Sequence, residues 1–179
     1  MSYIIPKDEL TLTDMRAFRD AAINAGIARA VALKIASTPK ELTVRCFENI
    51  FDAATALEQW NTAALAAVGT AYSCFQAVAA PTLAANKLAV FYKVGVETVP
   101  IPVSLLTFRS GGAAGNITSE FDLEQLINGE VTEGYFSEVQ VIDPQRQFAI
   151  QVTCRIATAA LARIQLGGFI IEPVGQRIA

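Results

Sequence analysis

Histidine is absent from this chain of 179 residues, and cysteine is scarce. Without histidine, neither a Ser-His-Asp nor a Cys-His catalytic arrangement can form, and the commonest metal ligand is missing. The three cysteines, Cys46, Cys74 and Cys154, are odd in number and far apart, so we expect reduced thiols, with neither a disulfide framework nor a zinc site. The sequence therefore predicts no catalytic, metal-binding or cofactor-binding residues.

Charge is also low. Charged residues make up 17% of the chain, against about 25% in a typical soluble domain, while hydrophobic residues make up 53%. No basic block accompanies the net charge of −3, so nucleic acid is not an expected partner. Gln59 to Asn86 is uncharged and long enough for a membrane helix of about 20 residues, but it is rich in Ala and Thr and contains Gly69 and Pro81. We therefore expect this apolar surplus to be buried in a protein assembly instead of a membrane.

Residues 1–60 are predicted to be an N-terminal arm followed by a helical region. Tyr3, Ile4 and Ile5 precede Pro6, a pattern that suits a strand or an extended strap on a neighbouring subunit. A helix is expected to begin at Thr11 or Thr13 and to continue to about residue 36. Its apolar stripe packs either on its own domain or on another subunit, and comprises Met15, Phe18, Ala22, Ile23, Ile27, Val31 and Ile35.

The segment between residues 37 and 80 is harder to assign. Thr38 and Glu41 have the spacing of a capping box, which predicts a second helix, yet Leu42 to Phe47 alternates like a short strand. Asn49 to Trp60 favours helix, with Trp60 as a core or interface anchor. For residues 61–80 the alternatives are helix and strand, and the spaced Thr, Tyr, Phe and Val residues favour strands.

Residues 61–179 are predicted to be one β-domain. Phe148 to Ile156 has period two, with apolar residues on one face and Gln151, Thr153 and Arg155 on the other. Other short strands are separated by Gly and Pro turns, and Gly167-Gly168 indicates a β-bulge or a close backbone approach. The predicted fold class is α+β, with an N-terminal helical arm and a jelly-roll-like antiparallel β-sandwich.

Two segments could carry a ligand site. Carboxylates crowd residues 120–138, but a glycosidase needs two of them facing each other across a cleft, and a solvated acidic loop is the simpler interpretation. Tyr135 and Phe136 form an aromatic pair that is either an exposed binding patch or a plug over the end of the sandwich, with the plug favoured because the two rings bury much area.

Four stretches of residues 86–179 resemble small virion proteins of bacteriophages. They are Leu106-Thr-Phe-Arg-Ser-Gly111, Phe121-Asp-Leu-Glu-Gln-Leu126, Glu133-Gly-Tyr-Phe-Ser137 and Leu166-Gly-Gly-Phe-Ile-Ile-Glu-Pro173. The resemblance implies a structural role in many copies, as a capsid decoration protein or the base of a head fibre. It implies no catalytic residues.

The expected function is thus non-enzymatic assembly within a virion. We expect a homo-oligomer, as a trimer, that also binds the major capsid protein or another virion protein, with no direct nucleic-acid or membrane contact. The alternatives are a carbohydrate- or receptor-binding module that uses Tyr135 and Phe136, and a hydrolase that uses the carboxylates. The predicted assembly residues are Tyr3, Ile4, Ile5, Phe18, Ile23, Ile27, Val31 and Trp60.

Overall fold

The computed structural model describes residues 2–46, 61–74, 82–159 and 161–175. Its helices are α1 (Leu12–Ala32) and α2 (Glu124–Gly129). Its strands are β1 (Ser2–Pro6), β2 (Leu42–Cys46), β3 (Asn61–Ala64), β4 (Ala71–Ser73), β5 (Leu88–Val96), β6 (Val103–Ser110), β7 (Asn116–Asp122), β8 (Glu133–Ile142), β9 (Phe148–Cys154) and β10 (Leu161–Pro173).

The strands form one curled mixed sheet in the order β2-β10-β5-β8-β1-β7-β6-β9-β4, with β3 also paired to β10. Among the described pairings only β1 with β7 is parallel, through Ser2 and Phe121, whereas β1 and β8 are antiparallel. The N-terminal strand therefore joins the two halves of the sheet. The structure confirms a β-rich fold with one long N-terminal helix, and the purely antiparallel prediction is corrected to a mixed sheet; a sandwich or jelly roll is not confirmed.

The main hydrophobic core lies inside the curl and is centred on phenylalanine rings. Phe121 stacks on Phe136 with a centroid distance of 4.5 Å, and Phe108 meets Phe136 edge-on at 5.8 Å. Strand β9 contributes its predicted apolar face: Phe148, Ile150, Val152 and Cys154 are buried. The period-two prediction is confirmed over Ile150–Cys154, whereas Ala149, which was predicted to lie on the polar face, is also buried.

Helix α1 packs on the outer face of β5 and β10 and forms a second, smaller core there. It begins as predicted at Thr11, whose side chain accepts a hydrogen bond from the Asp14 N–H while the Asp14 carboxylate accepts one from the Thr11 N–H. It ends at Ala32, four residues before the predicted end, because Lys34 adopts a left-handed φ of 59°. The Lys34 and Ile35 N–H groups then close a Schellman motif on the carbonyls of Val31 and Ala30.

The ambiguous segment after the helix is a short 3-10 turn over Pro39–Glu41 followed by strand β2, so the predicted second helix is wrong and the strand alternative is confirmed. Residues 61–64 and 71–73 are strands, as favoured. The helix predicted over Asn49 to Trp60, the Trp60 anchor and the predicted domain boundary after residue 60 lie outside the described residues or at their limit. No helix within the described residues has the length and apolarity needed to cross a membrane.

Two adjacent features shape the outer face of the sheet. The register between β5 and β10 shifts at Gly167-Gly168, opposite Lys93 and Phe91, which confirms the predicted bulge. A Cβ atom on Gly168 would overlap the backbone of Val90, so the two strands approach closely here. Tyr135 and Phe136, interpreted from sequence as a binding patch or a plug over the end of a sandwich, lie within strand β8.

Candidate functional site

The predicted assembly residues of the N-terminal strand have different surroundings. Tyr3 is 57% exposed, and its N–H donates to Ser137 Oγ at 3.1 Å. Ile4 is completely buried inside the curl, so it is a core residue of its own chain and not a surface contact. Ile5 is half-buried and lies opposite Tyr135 on β8. The strap is therefore part of this sheet, because β7 and β8 both offer it backbone partners.

The predicted assembly residues of α1 lie partly against their own sheet. Phe18 is half-buried, with its ring 5.5 Å from that of Tyr135. Ile23 and Ile27 pack against the core between helix and sheet, and Val31 is half-buried. Each keeps only part of its surface free, and their role in an interface stays a prediction.

Tyr135 and Phe136 point to opposite faces of the sheet, as neighbours in a strand must. Phe136 lies in the inner core, while Tyr135 lies under α1 and is 5% exposed. Partial burial raises the pKa of the Tyr135 hydroxyl, so this group stays protonated near neutral pH. Both rings are packed, as the favoured plug interpretation expected, although within a strand of the sheet, and their role as ligand contacts stays a prediction.

The carboxylates of residues 120–138 do not converge. The Glu120 carboxylate accepts from Thr107 at 3.5 Å, Asp122 accepts from the N–H of Glu124 at 2.8 Å, and Glu138 accepts from Ser2 at 3.5 Å. Within the described residues no group of three acidic, cysteine or histidine side chains could hold a metal ion. The contacts of these carboxylates are those of separate surface residues.

A groove of about 430 Å³ lies on the sheet face that carries α1, beside the N-terminal half of the helix. We call it the Lys93 groove. Its floor is formed by strands β5 and β10 at Gly95, Gly167 and Gly168. A Cβ atom on Gly95 would make only ordinary van der Waals contacts, the nearest at 3.8 Å, whereas one on Gly167 would overlap the stem of Lys93 and one on Gly168 would overlap the backbone of Val90. Gly95 is therefore the glycine of the floor that leaves room for a small added group.

One wall of the Lys93 groove is aromatic. The rings of Tyr92 and Phe169 are nearly parallel, with centroids 5.5 Å apart. Tyr92 reaches this face because it is the extra residue between Phe91 and Lys93 in the register with β10. Burial raises the pKa of the Tyr92 hydroxyl, which remains a hydrogen-bond donor near neutral pH.

Glu133 lies between two lysines at the rim. Lys93 Nζ donates to Glu133 Oε1 at 2.6 Å, and Lys7 Nζ donates to Oε2 at 2.8 Å. Partial burial acts to raise the pKa of Glu133, but the hydrogen bonds and charges of the two lysines outweigh it and the pKa is lowered. For Lys93, burial acts to lower the pKa, and the Glu133 contact reverses this and raises it. All three groups are therefore charged near neutral pH.

Two more charged residues line the groove. Arg19 projects from α1 and forms no hydrogen bond or ion pair with any residue of the described part of the chain. Glu97 lies 3.6 Å from Arg163 and accepts a hydrogen bond from Gln165. The groove thus combines an uncommitted guanidinium with carboxylates that already have cationic partners.

A buried ion pair lies on β2 and β10, outside the groove. Arg45 Nε donates to Glu172 Oε1 at 2.6 Å, and Glu172 is only 1% exposed. Its other oxygen, Oε2, has no hydrogen-bond partner in the described part of the structure. The pair joins two strands and has no cavity beside it among the described pockets.

No local motif marks the Lys93 groove in the sequence, since its residues lie on α1, β5, β8 and β10. The one available signal was Lys93 itself, a charge within the otherwise apolar strand Leu88–Val96. A charged side chain inside such a strand is expected to reach a partner or a polar cleft.

No protein-family model and no curated protein sequence matches the chain. Among solved structures, a protein from the disulfide-linked pili that form Bacillus endospore appendages is 18% identical to it, with a TM-score of 0.30. That match covers 73% of this chain and 81% of the pilus protein. Similarity at this level does not establish a shared fold, and no functional statement about the chain rests on it.

Proposed function

We propose that this chain is a non-enzymatic structural protein that associates with copies of itself. The observation that carries this is a stripe of exposed alanines along α1, formed by Ala17, Ala21, Ala28 and Ala32 and flanked by exposed charged residues of the same helix. Large apolar side chains are exposed at the start of this helix, where Leu12 is 60% exposed, and outside it, where Val68 is 66% exposed. Association would remove this surface from water, at about 25 cal/mol per Å² before entropic losses.

The finer form of the proposal is a trimer in a bacteriophage particle, as a decoration protein or head-fibre base bound to the major capsid protein. The resemblance of residues 86–179 to small virion proteins supports it, as does the low charge of the chain. The proposal includes the jelly-roll-like β-sandwich that the sequence predicts for this role. Immunogold labelling of purified phage particles tests the location, and uniformly unlabelled particles would contradict it.

Light scattering coupled to size-exclusion chromatography tests self-association. We expect a trimer at micromolar concentration. The Ala28→Glu variant should dissociate at a protein concentration about tenfold higher than the wild type does, because a carboxylate would be desolvated in the contact. Ala113→Glu is the matched control, since Ala113 is exposed in the β6–β7 loop. A monomeric wild-type protein would refute self-association; an unchanged trimer in the Ala28→Glu variant would exclude α1 as the contact.

A second candidate function, ligand binding, is favoured by the Lys93 groove and not by the Tyr135–Phe136 pair. It is independent of self-association, because the groove residues lie within one chain.

A further inference from the structure

The Lys93 groove has an excess of positive charge once the partners of its carboxylates are counted. Arg19 and Lys93 line it opposite Glu97 and Glu133 in charge, but Glu133 also pairs with Lys7 and Glu97 pairs with Arg163, and neither of these two cations lines the groove. The local excess contrasts with the net charge of −3 for the whole chain. Because Lys7 and Lys93 share Glu133, the guanidinium of Arg19 is the group still able to form a bidentate pair with a carboxylate.

The other polar groups of the groove argue against a simple inorganic anion. Phosphate and sulfate offer almost only acceptors, and would meet the carboxylates of Glu133 and Glu97, which line the same groove as Arg19. A ligand with hydroxyl groups as well as a negative charge can donate to these carboxylates and accept from Lys93. Paired carboxylates that can still accept hydrogen bonds, together with the guanidinium of Arg19, therefore suit a ligand that carries both hydroxyl groups and one carboxylate.

The shape of the groove agrees with this chemistry. Gly95, where a Cβ atom would fit without a clash, lines the groove together with the polar side chains and the rings of Tyr92 and Phe169. A ring with one more apolar face and several hydroxyls fits such a site, since it can lie over backbone where no side chain protrudes. Pyranose rings have this form, because their C–H groups gather on one face and their hydroxyls project around the edge.

We propose that the Lys93 groove binds an acidic sugar, with its carboxylate on Arg19 and its hydroxyls on Lys93, Glu133 and Glu97. The ring lies over Gly95. The same chemistry is available from a free sugar acid and from the uronic or sialic acid residues of a surface glycan. This activity requires neither catalysis nor self-association.

Isothermal titration calorimetry of the full chain with glucuronic acid, N-acetylneuraminic acid, glucose and inorganic phosphate tests the assignment. We expect one or both sugar acids to bind at least about tenfold more tightly than glucose and phosphate, the factor corresponding to one charge-assisted hydrogen-bonded pair. Heparan and polysialic acid oligomers then distinguish a glycan from a free sugar: tighter binding of an oligomer identifies the glycan as the source, and equal binding the free acid.

Three variants locate the binding. Arg19→Ala is expected to lose the preference for acid over neutral sugar, whereas Arg16→Ala, an exposed arginine of the same helix outside the groove, is expected to bind like the wild type. Gly95→Leu is expected to block binding, because a leucine side chain at this lining position would occupy the groove where the ring is proposed to lie. Circular dichroism and thermal melting confirm that each variant is folded.

Four results overturn the proposal. The first is that neither sugar acid binds at a concentration about 50 times a Kd of about 1 mM, and the second is that phosphate binds as tightly as the acids. The third is an equal loss of sugar-acid affinity in Arg16→Ala and Arg19→Ala. The fourth is undiminished binding in a folded Gly95→Leu variant.

Discussion

Replacing Gly168 by alanine tests the closest backbone approach between β5 and β10. The added Cβ atom would lie 3.0 Å from the carbonyl carbon of Val90 and 3.2 Å from the Cα of Phe91, and would overlap the Val90 carbonyl oxygen more deeply. These are backbone atoms of a buried strand, so no side-chain rotation relieves the overlap. The strands must separate locally instead.

The expected destabilisation follows from the backbone hydrogen bonds between β5 and β10. A separation of about 1 Å stretches the flanking hydrogen bonds from about 2.9 Å beyond their useful limit of about 3.5 Å. Two lost bonds cost about 1 kcal/mol each, and the disturbed packing about 1–3 kcal/mol. Alanine also lowers the conformational entropy of the unfolded chain relative to glycine, which offsets the loss of stability by about 0.4–1 kcal/mol. We therefore expect the free energy of unfolding to fall by about 2–4 kcal/mol.

For a chain of this size, 1 kcal/mol shifts Tm by about 2–4 °C, so Gly168→Ala should melt about 5–15 °C below the wild type. Gly95→Ala is the matched control on the neighbouring strand, because its Cβ atom has no neighbour closer than 3.8 Å and should leave Tm unchanged or raise it slightly. Urea unfolding monitored by far-ultraviolet circular dichroism gives the free energies of unfolding of the two variants. Equal stabilities of the two variants would refute the close approach.

Four further predictions concern single residues. Thr11→Ala removes the capping box and should cost about 1 kcal/mol of unfolding free energy in urea titrations, whereas exposed Thr13→Ala should cost much less. Lys34→Gly should raise that free energy by about 1 kcal/mol, because glycine adopts the left-handed φ of 59° without strain; a loss would contradict the Schellman end. Cys46 should be the one thiol that reacts with Ellman's reagent in the native protein, because Cys74, whose pKa burial raises to about 12, and Cys154 are buried; three fast equivalents would contradict this. The hydrogen bond from Arg29 holds the pKa of Asp143 below its usual 3.8, so its contribution to stability is present above that pH and lost as pH falls through the lower folded pKa. The stability difference between the wild type and Asp143→Asn should therefore shrink from pH 7 to pH 2, and a constant difference would exclude the linkage.

Local sequence signals predicted the elements whose causes are local. Thr11 and Asp14 supply both halves of a cap within one turn, and the helix begins where they place it. Ile150–Cys154 alternates in burial because one of its faces meets the core and the other does not, whereas the neighbouring Ala149, on the polar face, is also buried. Gly167-Gly168 was identified because two adjacent glycines inside an apolar strand have few other uses.

What the sequence left open or missed has non-local causes. Ser2–Pro6 was predicted to be a strand or an extended strap, and it is a strand because edges of β7 and β8 that come together only in the folded chain place it inside the sheet. Tyr135 follows a glycine and a glutamate, which disguised a strand whose two faces are covered by α1 and by the inner core. The helix end shifted because Lys34, an unfavourable left-handed residue, is stabilised there by the preceding turn.

The charge of the Lys93 groove depends on both local sequence and long-range strand pairing. The N-terminal strand β1 contributes to it. β1 pairs with β8 through Pro6 and Gly134, which places Lys7, the residue after β1, beside Glu133 at the start of β8. Lys7 then shares the carboxylate that would otherwise belong to Lys93 alone. Without β1 in its own sheet, Glu133 would neutralise Lys93 completely, and the positive excess of the groove would reduce to Arg19. The strand that closes the sheet therefore also sets the charge of the groove, so occupancy of β1 and affinity for an anionic ligand are physically linked.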